Sequence, residues 1–221
     1  MLKLQGVVVD MDGTITRFNL DYMAARRRVL DELEHRGLRA PDIVEEASLY
    51  VVLDKLRERM PPDEFRRLRL TFYKYFEEME LRAARDVTLL PGVEKTLAEL
   101  RAQSLKLGLV TNNSKAGTTL TLKRLNLQSA FDAIVTRDDC DQMKPASAPV
   151  LKTLKELNIP PEAAILVGDG VVDVLAAKAA GIRSAAVTPG PFPLLRILNA
   201  QPDYLLGSIN DLPALIEQLN T

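Results

Sequence analysis

Residues 4–14 read LQGVVVDMDGT, an apolar run that ends in two aspartates flanking a methionine, then a glycine and a threonine. The run is β-branched and nearly continuous rather than alternating, which is the pattern of a strand covered on both faces. Strands of that kind form parallel sheets, and open parallel sheets bind ligands beyond their carboxyl ends. Asp10 and Asp12 stand at that end, with Gly13 permitting a tight turn close behind them.

Outward from this stretch, strand-like runs recur at Leu4–Val9, Leu105–Val110, Ala133–Val135, Ala164–Val167, Ser184–Val187 and Tyr204–Leu206. Helical patterns fall between them at Gly92–Gln103, Lys115–Leu125, Ser147–Leu157 and Val171–Ala180, with a closing helix near Asn210–Leu219. Strand followed by helix, repeated, predicts an α/β fold: a doubly wound parallel sheet with a Rossmann-like core and right-handed crossovers. The rhythm breaks between about Phe18 and Asp86, where charged helical sequence replaces strands. Asn19 reads as an N-cap, with Phe18 and Met23 placed as a hydrophobic staple, and Gly37 as the stop. A second helix is expected over Pro41–Arg59, halted by Pro61-Pro62, and a third over Asp63–Arg85. The predicted organisation is a core of residues 1–16 and 88–221 interrupted by an α-helical insert over 17–87.

Composition narrows the function classes. With 29 Lys+Arg against 30 Asp+Glu, the chain as a whole attracts neither nucleic acid nor anionic membrane. No apolar stretch approaches the ~18 residues of a spanning helix, and the short N-terminal run ending in carboxylates is neither signal peptide nor anchor. A single cysteine, Cys140, excludes an internal disulfide framework and suits a reducing compartment. These features predict a cytoplasmic protein, monomeric by default, acting on a small molecule. Asn112-Asn113-Ser114 matches a glycosylation acceptor only formally.

Polar residues gather where the fold expects a site. Asp10 and Asp12 follow the first strand, Thr111-Asn112 the second, Lys144 the loop after the third, and Asp169 with Asp173 the fourth. Phosphoryl transfer needs a nucleophile, a cation, positioned donors and a proton source. Asp10 offers a carboxylate nucleophile and Asp12 a general acid, then base. Asp169, with Asp10 and Asp173 directly or through water, supplies the hard oxygens that Mg²⁺ prefers. Thr111 and Lys144 would hold the phosphoryl oxygens, with Asn112 beside Thr111 and the Gly13 backbone in close approach.

Asp10-Met11-Asp12-Gly13-Thr14, Thr111-Asn112, Lys144-Pro145 and Gly168-Asp169-Gly170-Val171-Val172-Asp173 resemble, in order, the four motifs of the haloacid dehalogenase-like hydrolase superfamily. The resemblance spans the chain, and the helical insert is similar to the small cap domain of phosphoglycolate phosphatase-like and β-phosphoglucomutase-like members. It implies Asp10 as nucleophile and metal ligand, and Asp12 as acid/base with its backbone carbonyl on the metal. It also implies Thr111 and Lys144 on the phosphate, Asp169 as a direct metal ligand and Asp173 as an inner or outer carboxylate. Relatives that displace halide or cleave phosphonates lack an aspartate at the position of Asp12, so a phosphate ester is expected. The chain departs from the family after Lys144-Pro145, where Ser147 is placed to cap a helix with Pro149 in its first turn. It departs again after Thr14, where Arg17 sits at the insert joint as a candidate contact for an anionic substrate group.

The leading expectation is an Mg²⁺-dependent phosphatase of a small phosphorylated metabolite. A phosphomutase would use the same aspartyl-phosphate, and a receiver-type signalling module is a remoter alternative. Arg26–Arg28 and Arg66-Arg67 read as solvated helix faces and His35 as a C-terminal helix cation, while Phe72, Tyr73, Tyr75 and Phe76 read mostly as insert core.

Overall fold

The computed structural model describes residues 3–17, 19–44, 49–188, 190 and 193–221. Six parallel strands form one sheet in the order β3-β2-β1-β4-β5-β6. They are β1 (Gly6–Val9), β2 (Lys106–Val110), β3 (Ala133–Val135), β4 (Ala164–Gly168), β5 (Arg183–Val187) and β6 (Tyr204–Leu206). The central strand β1 is buried along its whole length, which explains why its sequence does not alternate. Val7 and Val9 face one apolar layer with Leu107, Leu109, Ile165 and Val167, whereas Val8 faces the other with Leu166.

Helices α5 (Val93–Ala102), α6 (Lys115–Arg124) and α10 (Leu212–Asn220) contribute Leu97, Leu122 and Ile216 to the first layer. Helices α7 (Ala148–Leu157) and α8 (Val171–Ala180) contribute Leu154 and Ala177 to the second. Both faces are thus covered, as a doubly wound parallel sheet requires. Val9 lies level with Leu109 on one side and with Val167 on the other. That register sets Asp10, Thr111 and Asp169 just beyond the carboxyl ends of three adjacent strands, along one end-on edge of the sheet.

After β1 the chain leaves the sheet for α1 (Tyr22–His35), α2 (Pro41–Val44), α3 (Leu49–Arg59) and α4 (Pro62–Ala83). These helices bury an apolar cluster of their own, in which Val29, Leu33, Leu56, Leu68 and Phe72 are essentially inaccessible. The expected helix over 41–59 is helical at both ends, and its residues 45–48 lie outside the described part. The N-cap of α1 is Asp21, whose carboxylate accepts from the Ala24 N–H at 3.0 Å, and not Asn19. Asn19 instead donates to the Ala83 carbonyl, tying the start of the insert to its end. The supposed staple partner Phe18 lies outside the described residues. Ser147 occupies the N-cap position of α7 without a capping side-chain bond. A short helix, α9 (Leu194–Asn199), was not anticipated; it sits between β5 and β6.

Both crossings between insert and core are paired. The Arg17 N–H donates to Thr88 O at 2.9 Å and the Leu90 N–H to Ile15 O at 2.9 Å. Among the described residues no helix is long and apolar enough to cross a membrane.

Candidate active site

Strand pairing continues into Asp10, whose N–H donates to Val167 O at 2.9 Å. The chain then turns sharply: the Ile15 and Thr16 N–H groups both donate to Met11 O at 3.0 Å. Gly13 takes a left-handed φ of 86° within that turn. A Cβ there would also lie 2.1 Å from Asp169 Oδ2, so both conformation and space demand glycine.

Lys144 reaches this edge from the loop between β3 and α7 and is only 1% exposed. Its ammonium donates to Asp10 Oδ1 and Asp173 Oδ1, both at 2.6 Å, and to Val110 O at 3.0 Å. An ammonium has three donors, and these acceptors take all of them. Burial works against the charge, but Asp10 and Asp173 outweigh it and raise the Lys144 pKa above the ordinary lysine range. Asp173 has its second oxygen on the Gly170 N–H at 3.0 Å, at the start of α8. It therefore braces Lys144 and caps a helix at once. Asp10 Oδ2 has only a long contact from the Thr14 hydroxyl, 3.5 Å, and is the less committed oxygen.

Asp169, 4% exposed, follows β4, and its Oδ2 is buried without a hydrogen-bond partner. Asp10, Asp169 and Asp173 each present a ligand atom, all within 4.8 Å of one another. Three carboxylates share one ammonium, so negative charge is in excess. Burial, then the charges of Asp10 and Asp173, push the Asp169 carboxyl up to about 9. Burial likewise lifts Asp10 to about 7, against the pull of Lys144. An orphaned buried carboxylate oxygen in a dense, hard-oxygen cluster fits a divalent cation, which would compensate both defects.

The turn after β2 organises the remaining polar groups. Thr111 Oγ1 accepts from the Asn113 N–H at 3.1 Å and keeps its hydroxyl proton for another acceptor. Asn112, expected beside the phosphate, spends both ends of its side chain on Lys144: Nδ2 donates to the Lys144 carbonyl and Oδ1 accepts from the Lys144 N–H, each at 2.9 Å. Its side chain therefore clamps the lysine backbone. The carboxylate of Asp12 accepts from Thr16 Oγ1 at 3.1 Å and from Asn113 Nδ2. Burial raises its pKa to about 6 even though these two donors oppose the rise. Asn113 was missed in sequence, where its position inside a formal acceptor motif gave no hint of an active-site contact.

Two clefts border this edge. A narrow one of about 30 Å³ lies under the insert, lined by Leu20, Tyr22, Phe76, Met79, Asn113 and Met143 among others. Phe76 thus belongs to the insert core and also walls the cleft. The other, about 460 Å³, is lined by Gly13, Arg17, Pro91, Gly190 and Asn210 among others. Arg17 is its one charged residue among those described. Arg28 pairs with Glu78 at the surface and stacks over Tyr75, and His35 lies exposed in the last turn of α1, as solvated positions do.

Known proteins resemble this chain along nearly its whole length. Over 236 residues the chain is 32% identical to the phosphoglycolate phosphatase of Escherichia coli strain K12, covering 96% of this chain and 92% of that protein. It is 26% identical to the pyrophosphatase PpaX of Bacillus anthracis, over 99% of both. Among solved structures, a hydrolase from Pseudomonas syringae superposes with a TM-score of 0.72 at 21% identity, covering 98% of this chain and 100% of that one. The model of the haloacid dehalogenase-like hydrolases matches residues 7–187, which runs from the second residue of β1 to the end of β5 and takes in every residue of the acidic cluster. The chain belongs to the haloacid dehalogenase-like hydrolase family.

Proposed function

We propose that this hydrolase is an Mg²⁺-dependent phosphatase of small phosphorylated metabolites that works through a transient aspartyl-phosphate, an acyl phosphate on Asp10. The observation that carries the reading is the buried Asp10–Asp169–Asp173 cluster with Asp169 Oδ2 left unpartnered. Asp10 and Asp169 would hold the cation, with Asp173 acting mainly by fixing Lys144. A bound Mg²⁺ supplies charge neutralisation for the incoming phosphate.

Asp10 Oδ2 bonds to phosphorus as the bond to the leaving oxygen breaks. Asp12 gives that oxygen its proton; a carboxyl held near 6 is suited to donating close to neutral pH. Water then attacks phosphorus, Asp12 takes its proton, and Asp10 is released with inorganic phosphate. Thr111 Oγ steadies a phosphoryl oxygen, the Gly13 turn spends its own N–H groups internally and lets the backbone come close, and Lys144 holds Asp10 in line.

The clefts and the relatives support a substrate class with an anionic leaving group. Phosphoglycolate and pyrophosphate, named by two relatives, both have a small leaving group that is itself anionic. Arg17 supplies a cation on the lip of the larger cleft, where such a group would meet it. The test is release of inorganic phosphate from a panel holding both compounds and several sugar phosphates, with Mg²⁺ and with chelator. Hydrolysis should vanish on chelation and in Asp10→Asn. Undiminished turnover by that variant removes the nucleophile, and an isomeric sugar phosphate in place of inorganic phosphate makes the protein a mutase.

A further inference from the structure

Glu80 interrupts an apolar stripe. The buried face of α4 runs Phe65, Leu68, Phe72, Phe76 and then Glu80, a spacing that keeps these residues on one side of a helix. An ionised carboxylate in that register is costly unless a partner is buried with it. The partner is Arg137, in the turn after β3. Their side chains are each 3% exposed and meet in a fork, Arg137 Nη1 to Glu80 Oε1 at 2.6 Å and Nη2 to Oε2 at 3.1 Å.

The pair reaches beyond joining insert to core. Arg137 Nη1 also donates to Asn112 O at 3.0 Å, and the Arg137 N–H donates to Asn113 O at 3.0 Å. Glu80 Oε2 accepts from the Ser114 N–H at 2.8 Å. Arg137 Nη2 donates to Tyr73 O at 3.3 Å, with the Tyr73 ring 4.9 Å from the guanidinium. The backbone of residues 112 and 114 is therefore tied to the ion pair itself, and that of residue 113, between them, to the Arg137 main chain. The middle one, Asn113, is the residue whose side chain donates to Asp12. Helices α4 and α6 come this close because residue 117 is glycine: a Cβ there would lie 2.8 Å from Glu80 Cβ.

A forked pair is directional, so it fixes orientation as well as proximity. We propose that Glu80 and Arg137 are positioning residues: seating the insert forms their ion pair, which sets the 112–114 turn and aims Asn113 at Asp12. The catalytic turn is then fully ordered only when the site is covered. The kinetic consequence rests on the phosphatase reading above, while the ordering of the turn does not.

Glu80→Gln keeps the shape and an acceptor for Ser114 but leaves Arg137 with only the more exposed Asp138 carboxylate, 3.9 Å from its Nε, whereas Glu80→Gln/Arg137→Met removes both charges of the buried pair. In Glu80→Gln, kcat toward a small generic ester should fall about ten-fold with KM little changed, the signature of a lost transition-state arrangement. The Ser114 amide should exchange with solvent about ten-fold faster, as a locally opened segment does. In the double variant the melting temperature should recover while kcat stays low. Recovery of kcat in step with the melting temperature overturns the proposal and leaves the pair a structural contact. Unchanged exchange at Ser114 in Glu80→Gln overturns it whatever the kinetics. Should the wild-type protein hydrolyse no ester at all, the phosphatase reading has failed, and the exchange measurement alone judges the pair.

Discussion

Gly13 and Arg17 show how much single positions decide. Gly13→Ala must hold a left-handed backbone, at about 1–2 kcal/mol, while its methyl presses on the Asp169 carboxylate. The variant should fold yet need about ten-fold more Mg²⁺ for half-saturation, because the oxygen displaced is the one without a protein partner. Titration calorimetry with Mg²⁺ checks this, and unaltered affinity would remove Asp169 Oδ2 from the metal site. Arg17→Ala should raise KM for a substrate with an anionic leaving group several-fold and leave a neutral aryl phosphate unaffected; equal effects on both would place Arg17 on the phosphoryl group or nowhere. The aspartates and Lys144 were legible at this scale because each follows a strand, and chain order plus parallel register brings strand ends together. The work of Asn112 and Asn113 was not, since which way an amide points depends on a loop thirty residues away in one case and a turn a hundred residues away in the other.

At the scale of elements, most strand and helix positions are readable to within a residue or two, because the sheet is buried on both faces and helices such as α4 and α7 carry an apolar face. One error falls on the short helix α9, and another where a local signal had two candidates. Asn19 and Asp21 are both good N-caps, and packing of the insert chose the second. Glu80 offered a clue that went unused: a charge at helical spacing from Phe72 and Phe76 belongs to the buried face and needs a cation. Its cation, Arg137, is 57 residues away, and no local pattern links them. The insert has its own apolar cluster with Phe72 wholly buried at its centre. Phe72→Ala should therefore cost about 3–5 kcal/mol of the insert's stability in urea unfolding. Loss below 1 kcal/mol would mean the cluster repacks freely.

For the whole molecule, the acidic cluster links stability to pH. The folded-state pKa values of Asp12, Asp10 and Asp169, about 6, 7 and 9, lie above the ordinary 3.8. Folded protein thus retains protons that the unfolded chain has released, and stability must fall as pH rises from about 4 toward 9. A divalent cation binds the deprotonated carboxylates and reverses the penalty. The rise in melting temperature on adding Mg²⁺ should be larger at pH 8 than at pH 5; an equal rise at both would detach the cation from these groups.

Because the strands of chain entering and leaving the helical insert are hydrogen-bonded to each other, through Arg17 with Thr88 and Leu90 with Ile15, their ends lie side by side. The insert is attached like a drawer on a single pair of rails. A short glycine-rich bridge across those ends would close the chain without stretching the sheet, so a different bundle, or none, could be grafted there while the carboxylate edge keeps its register.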